Sequence, residues 1–227
     1  MIKDKPLGIK AAIEAQYFPP VEFFALYDSC DQIYLLKKER FEKQSYRNRC
    51  RILASNKVQD LIVPVQKGKT QLISGEVHII YHQNWAVLHE RAIASSYGKA
   101  PYFEHYFPQV QEILQGASET IFDLDVLTIR WVERALGLNP AIILDNGANM
   151  FGGQILRSFI HPKGRSSKFE VQGSKDSSTL NFKPESLNSP YFQCFDHSGF
   201  VPNLSILDLI MNMGPESTAY LRAIELK

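Results

Sequence analysis

The chain has no apolar run long enough to cross a membrane as a helix, which takes about 20 residues. Leu61-Ile62-Val63 stops at Pro64, and the apolar stretch 141–144 is interrupted by Asp145. The first ten residues are Lys-rich and lack the apolar centre of a secretion signal, so a cytoplasmic location is expected. Cysteine is scarce. Cys30, Cys50 and Cys194 are odd in number, widely spaced and without a CxxC, which excludes a disulfide framework and predicts reduced, mostly buried thiols. Charge of one sign is also lacking: 25 basic residues face 24 acidic ones, giving no global bias toward nucleic acid or an anionic membrane.

Familiar catalytic motifs are missing too. Gly68-Lys69-Thr70 resembles the end of a phosphate-binding loop, but Val63 stands where that loop needs its first glycine. His78 and His82 lack the Glu of a zinc-protease helix and have no third ligand at useful spacing, so no metal is expected. There is no GxSxG, hence no support for a hydrolase nucleophile elbow.

What is there is ordinary globular material. The 227 residues are 44% hydrophobic, enough for one domain with a full core. Residues 9–15 read as a first strand, Pro19-Pro20 as a breaker opening a helix with Phe23, Phe24, Leu26 and Tyr27, and 32–36 as a second strand. Short β-branched runs at 50–54, 60–65, 70–73 and 76–81 predict a β-rich centre. From residue 85 the period changes to three and four. Trp85, Leu88, Ala92 and Ser96 make one stripe, Phe103, Phe107, Val110 and Leu114 a second, and Leu124, Leu127, Trp131, Ala135 and Leu138 a third. Residues 141–144 read as another strand, and a last helix starts near Ser205, where Ser205 and Asp208 have capping-box spacing. The expected fold is α/β (or α+β): an N-terminal strand–helix–strand unit, a central β-rich part and a helical second half. It is expected as a single domain over 1–227. Residues 162–190, with seven serines, are expected to form a surface loop or insertion.

One segment stands out. Residues 37–51 carry seven basic and two acidic side chains, a local charge of +5 in a chain whose total is +1. If 47–51 is a strand, Arg47 and Arg49 share a face about 7 Å apart, a spacing that suits two oxygens of a diphosphate, with Asn48 on the opposite side. The competing reading is an edge strand protected by Lys and Arg. Glu39 and Lys43 have the spacing of an ion pair. Gln16 follows the first strand, where open α/β sheets place their ligand crevice. His89 is a candidate general base by its ordinary pKa, and Tyr191 and Gln193 are polar groups in a returning apolar segment. The candidate catalytic residues are therefore His89 and Glu39. The candidate substrate-binding residues are Gln16, Lys43, Arg47, Asn48, Arg49, Tyr191 and Gln193.

Three blocks carry a family resemblance. They are Gln16-Tyr17-Phe18-Pro19-Pro20; Tyr46-Arg47-Asn48-Arg49-Cys50-Arg51-Ile52 with Leu61-Ile62-Val63-Pro64-Val65; and Gly199-Phe200-Val201-Pro202-Asn203-Leu204-Ser205-Ile206-Leu207-Asp208, ending at Asn212 and Gly214. Together they resemble the WbqC-like protein family, over about residues 9–222. The family takes its name from an O-antigen gene cluster. The resemblance implies a group transferase, of glycyl or another acyl group, in O-antigen or other envelope-polysaccharide biosynthesis, acting on a phosphorylated or nucleotide-activated precursor. The alternative is a non-catalytic cytoplasmic binding or assembly protein. An anionic small-molecule substrate is expected, nucleic acid is not, and no cofactor is indicated.

Overall fold

A computed structural model describes residues 10–55, 57–66, 72–82, 84–145, 154–155, 190–195 and 199–224. Strand β1 (Lys10–Ile13) has Ala11, Ala12 and Ile13 all buried. Such an uninterrupted apolar run suits a parallel sheet covered on both faces. Pro20 is the N-cap of α1 (Val21–Ser29), whose Phe23, Phe24 and Tyr27 rings pack on one another. β2 (Gln32–Leu36) then returns parallel to β1, with Ala11 beside Ile33. The N-terminal strand–helix–strand unit is thus present.

Two further parallel strands complete this sheet. β5 (Ala141–Asp145) lies against β2, and β6 (Gln154–Ile155), which sequence patterning does not reveal, lies against the other side of β1. The order is β5-β2-β1-β6. Between neighbours β2 and β5 the chain makes a long excursion. It forms an antiparallel hairpin, β3 (Arg49–Leu53) with β4 (Val58–Ile62), a 3-10 turn at Ser74–Glu76, and helices α2 (Trp85–Tyr97), α3 (Phe103–Gln115) and α4 (Ile121–Leu136). α5 (Ile206–Met213) and α6 (Glu216–Ala223) end the described chain. α2 packs on β3, α3 and α5, and α1 on α5 and α6. The class is α/β, and no helix among the described residues is long and apolar enough to cross a membrane.

Several expectations need correction. The centre is less β-rich than its composition suggests. Val77 and Ile79 are buried as the alternation predicts, but 76–81 forms only isolated bridges, His78 with Thr120 and Ile79 with Val65. Its backbone bonds are divided between the loop ahead of α4 and residues 64–66, so no ladder develops. In 70–73, Ile73 bridges Arg40, and Thr70 lies outside the described residues. The buried stripe of α2 is Trp85, His89, Ile93, Ser96 and Tyr97, while Leu88 is 58% exposed. Leu88 and His89 are adjacent, and apolarity favours the wrong one because the polar atoms of His89 are satisfied inside. α4 stops at Leu136, with Gly137 in the left-handed region at φ 61°. The last helix is two helices. Gly214 breaks them at φ 53°, and a Cβ there would sit 2.5 Å from the Tyr102 ring. The expected loop at 162–190 lies outside the described residues except for Pro190.

Candidate functional site

The chain runs from β1 outward through β2 to β5, and β6 then lies on the other side of β1, so the strand order reverses at β1. Open parallel sheets bind ligands beyond the carboxyl ends of strands at such a point. The chain leaves β1 directly into Glu14 and Gln16, both buried. Arg47 comes to them from the turn before β3. Its Nη2 lies 3.9 Å from Glu14 Oε2, its Nη1 lies 3.7 Å from Glu42 Oε2, and its Nη1 donates to Ser45 Oγ at 3.5 Å. Gln16 Nε2 donates to Glu14 Oε1 at 3.5 Å.

Asp125, on the buried face of α4, completes the group. Burial raises its carboxyl well above the usual range, against the opposing pull of the Arg47 charge. Burial thus favours the protonated form of Asp125, while the Arg47 guanidinium faces the Glu14 and Glu42 carboxylates. Two atoms of this group, Arg47 Nε and Asp125 Oδ1, are shut off from solvent with no hydrogen-bond partner among the described residues. Buried polar atoms are normally satisfied, so two orphans on interacting residues call for an explanation. The contacts are long, 3.5–3.9 Å.

The other sequence candidates fall elsewhere. Arg47 is not in a strand with Arg49, because β3 begins at Arg49. Their guanidinium groups diverge. The Arg47 side chain is 4% exposed among carboxylates, whereas that of Arg49 is 17% exposed and donates to Asp60 across the hairpin at 3.2 Å. The two-point diphosphate clamp expected of this pair is not formed. Asn48 turns inward and donates from Nδ2 to the Val63 carbonyl at 2.9 Å. Lys43 is exposed in the turn, and Glu39 is half-buried after β2, its carbonyl accepting from the Ser74 N–H.

His89 is interior. Its Nδ1 lies 3.0 Å from the Tyr17 hydroxyl, its ring meets Trp85 edge to face, and it also hydrogen-bonds the Ile62 backbone. Burial pushes its pKa down to about 4. His89 thereby ties the β1 exit to α2 through Tyr17.

Tyr191 and Gln193 converge on Asp208. Tyr191 Oη donates to Asp208 Oδ2 at 2.7 Å, and Gln193 Nε2 donates to the same oxygen at 2.8 Å. Tyr97 also bonds this carboxyl, yet burial still raises it. Gln193 further brackets Val201, accepting from its N–H at 2.9 Å and donating to its carbonyl at 3.0 Å. These residues clasp the segment before α5 onto the helix. The expected capping box is half correct. Ser205 does cap α5, accepting from the Leu207 N–H, but the Asp208 side chain serves the clasp and does not reach back to the cap.

Glu14 and Asp125 escape sequence reasoning. The available signals were a carboxylate directly after an apolar strand and an acid set in the buried stripe of α4 beside Ile121, Thr128 and Ile129.

The model of the WbqC-like protein family matches residues 14–220, opening on Glu14. The chain belongs to that family. A relative, the uncharacterized protein Rv1507c of Mycobacterium tuberculosis, is 26% identical over 226 residues, covering 93% of this chain and 96% of its own length. No solved structure matches. In this WbqC-like protein Cys30 and Cys50 are buried, Cys194 is half-buried, and no disulfide links them.

Proposed function

We propose that this WbqC-like protein is a group transferase of envelope-polysaccharide biosynthesis, moving an acyl or related group from a phosphorylated or nucleotide-activated precursor at the Glu14–Arg47–Asp125 group. The observation that supports this most is the meeting of two buried carboxyls and one guanidinium, with Arg47 Nε and Asp125 Oδ1 unpartnered among the described residues, beyond the carboxyl end of β1. An amine or hydroxyl of the acceptor attacks the activated carbon, forming the new bond as the bond to the phosphate oxygen breaks. The phosphate leaves with the electron pair. Glu14 takes the nucleophile's proton, in preference to His89, whose pKa burial pushes down to about 4, and to Glu39. Asp125, whose protonated form burial favours, donates a hydrogen bond to the developing negative oxygen. Arg47 orients Glu14, and Asn48 Oδ1 accepts from the acceptor's N–H or O–H.

The test is a panel of nucleotide-sugars and phosphorylated carriers, each with amine and hydroxyl acceptors, read by mass spectrometry of the product. Glu14→Gln keeps the shape and removes the base, so turnover should fall about 100-fold or more while substrate still shifts the melting temperature. Turnover unchanged in Glu14→Gln would overturn the assignment. Binding without any product across the panel would favour the non-catalytic alternative.

A further inference from the structure

The side chains that do share a strand face are Arg49 and Arg51, one step further along than the pair expected from sequence. Both address one carboxylate on the facing strand. Arg49 Nη1 is 3.2 Å from Asp60 Oδ2, and Arg51 Nε is 3.4 Å from Asp60 Oδ1. Asp60 is their only acidic partner among the described residues. Neither contact is a two-point fork, so among the described residues most of the guanidinium N–H groups have no carboxylate partner. Exposed Lys57 sits at the turn of the same hairpin, and a groove of about 560 Å³ is lined by Arg51, Lys57, Val58, Gln59 and Asp60. Arg51 and Lys57 in the groove, with Arg49 beside them on the same strand face, set three cations against the one carboxylate of Asp60. Val58 and Ile62 stand exposed on β4, so apolar surface borders the charge.

We propose that this hairpin face is a binding site for a phosphate or diphosphate ester, with Arg49, Arg51 and Lys57 as donors and Asp60 as the internal counter-ion that the ligand displaces. Guanidinium groups two residues apart on one strand face are about 7 Å apart at their roots, which suits neighbouring phosphoryl groups. The ester's source is either a soluble nucleotide-type molecule or a lipid headgroup whose tail meets Val58 and Ile62. The inference rests on the transferase reading only in giving the anionic part of its substrate a place. It concerns binding alone, so it can fail while transfer at Glu14 stands.

The experiment has two arms: titration calorimetry with inorganic pyrophosphate, and flotation with phosphatidylcholine vesicles with and without phosphatidic acid. In whichever arm binds, Arg51→Glu should abolish binding and Lys57→Glu should weaken it about tenfold or more. Lys99→Glu, an exposed charge at the end of α2, should leave it unchanged. Asp60→Asn should tighten binding, because the competing carboxylate is gone, a gain that a merely structural ion pair would not produce. Pyrophosphate binding assigns the site to soluble esters, and flotation alone assigns it to lipid headgroups. Lys57 lies in an exposed turn, so its variant keeps the test open should Arg51→Glu fold poorly. Absence of binding in both arms, or binding unmoved by both Lys57→Glu and Arg51→Glu, would overturn the proposal.

Discussion

Arg47 and Arg49 are two residues apart and chemically identical, yet they belong to different worlds. Arg47 is enclosed with Glu14, Ser45 and the buried acid Asp125, while Arg49 lies across the surface of a two-stranded hairpin against Asp60. In the first place the medium is poorly polarisable, so removing one partner strands the others. In the second, water substitutes for whatever is removed. The contrast teaches that a run of basic residues has no single role. The turn at 45–48 rotates one guanidinium inward just before β3 sets the next on the outer face.

The largest test of that contrast is Arg47→Met against Arg49→Met in urea unfolding. The first leaves Glu14 buried without its counter-charge and should cost about 3–5 kcal/mol, and the second about 1 kcal/mol or less. Equal costs would break the comparison.

A test of similar size uses pH, because the interior holds groups of opposite sign. His89 is depressed from 6.5 to about 4 by burial, and buried Glu22 in the first turn of α1 is raised from 4.5 to about 7. For His89 the unfolded chain binds more protons between those values. Its contribution is complete above pH 6.5 and is lost as pH falls toward 4. For Glu22 the folded chain binds more protons, so its contribution is complete below pH 4.5 and is lost as pH rises toward 7. Relative to His89→Gln, the wild type should gain on the order of 3 kcal/mol across its window as pH rises, and relative to Glu22→Gln it should lose a similar amount across its own. Flat differences in chemical denaturation at pH 4, 5.5 and 7 would show that neither side chain is as enclosed as described.

A smaller effect belongs to the Asp208 clasp. Tyr191→Phe removes one charge-assisted hydrogen bond while Gln193 and Tyr97 remain, and should cost about 1.5–3 kcal/mol. The neighbouring Phe192, 59% exposed, should tolerate Ser with little change. The smallest effect is on the hairpin, where a double-mutant cycle of Arg49 and Asp60 should give a coupling of about 0.2–1 kcal/mol. A coupling as large as that between Arg47 and Glu14 would erase the distinction between the two regions.

Much of the framework was legible because it depends on local pattern. β1, α1 and β2 follow from an apolar run, a proline breaker and a second apolar run, and α2, α3 and α4 from their periodicity. Where two patterns competed, sequence misled. His89 and Leu88 offer adjacent stripes, and only the Tyr17 hydroxyl and Ile62 backbone, far away in sequence, make the polar one the buried one. β6 was invisible because two residues carry no periodicity. In the site, Gln16 and Arg47 were singled out by position and charge, and they do meet through Glu14. Glu14 itself and Asp125 were not singled out, because a lone carboxylate next to an apolar segment reads as surface until its neighbours are known.

The order of residues alone determined the α/β class, the family, the exclusion of a membrane-spanning helix among the described segments and the concentration of positive charge at 37–51. These follow from composition, period and spacing, which local chemistry enforces along the chain. Tertiary structure decided which of those charges are buried, which acid burial pushes toward its protonated form and which polar atoms lack a partner among the described residues. Desolvation and pairing are properties of a place in three dimensions, and the groups that set them at Arg47 come from the exit of β1, the turn before β3 and the buried face of α4, up to 111 positions apart between Glu14 and Asp125.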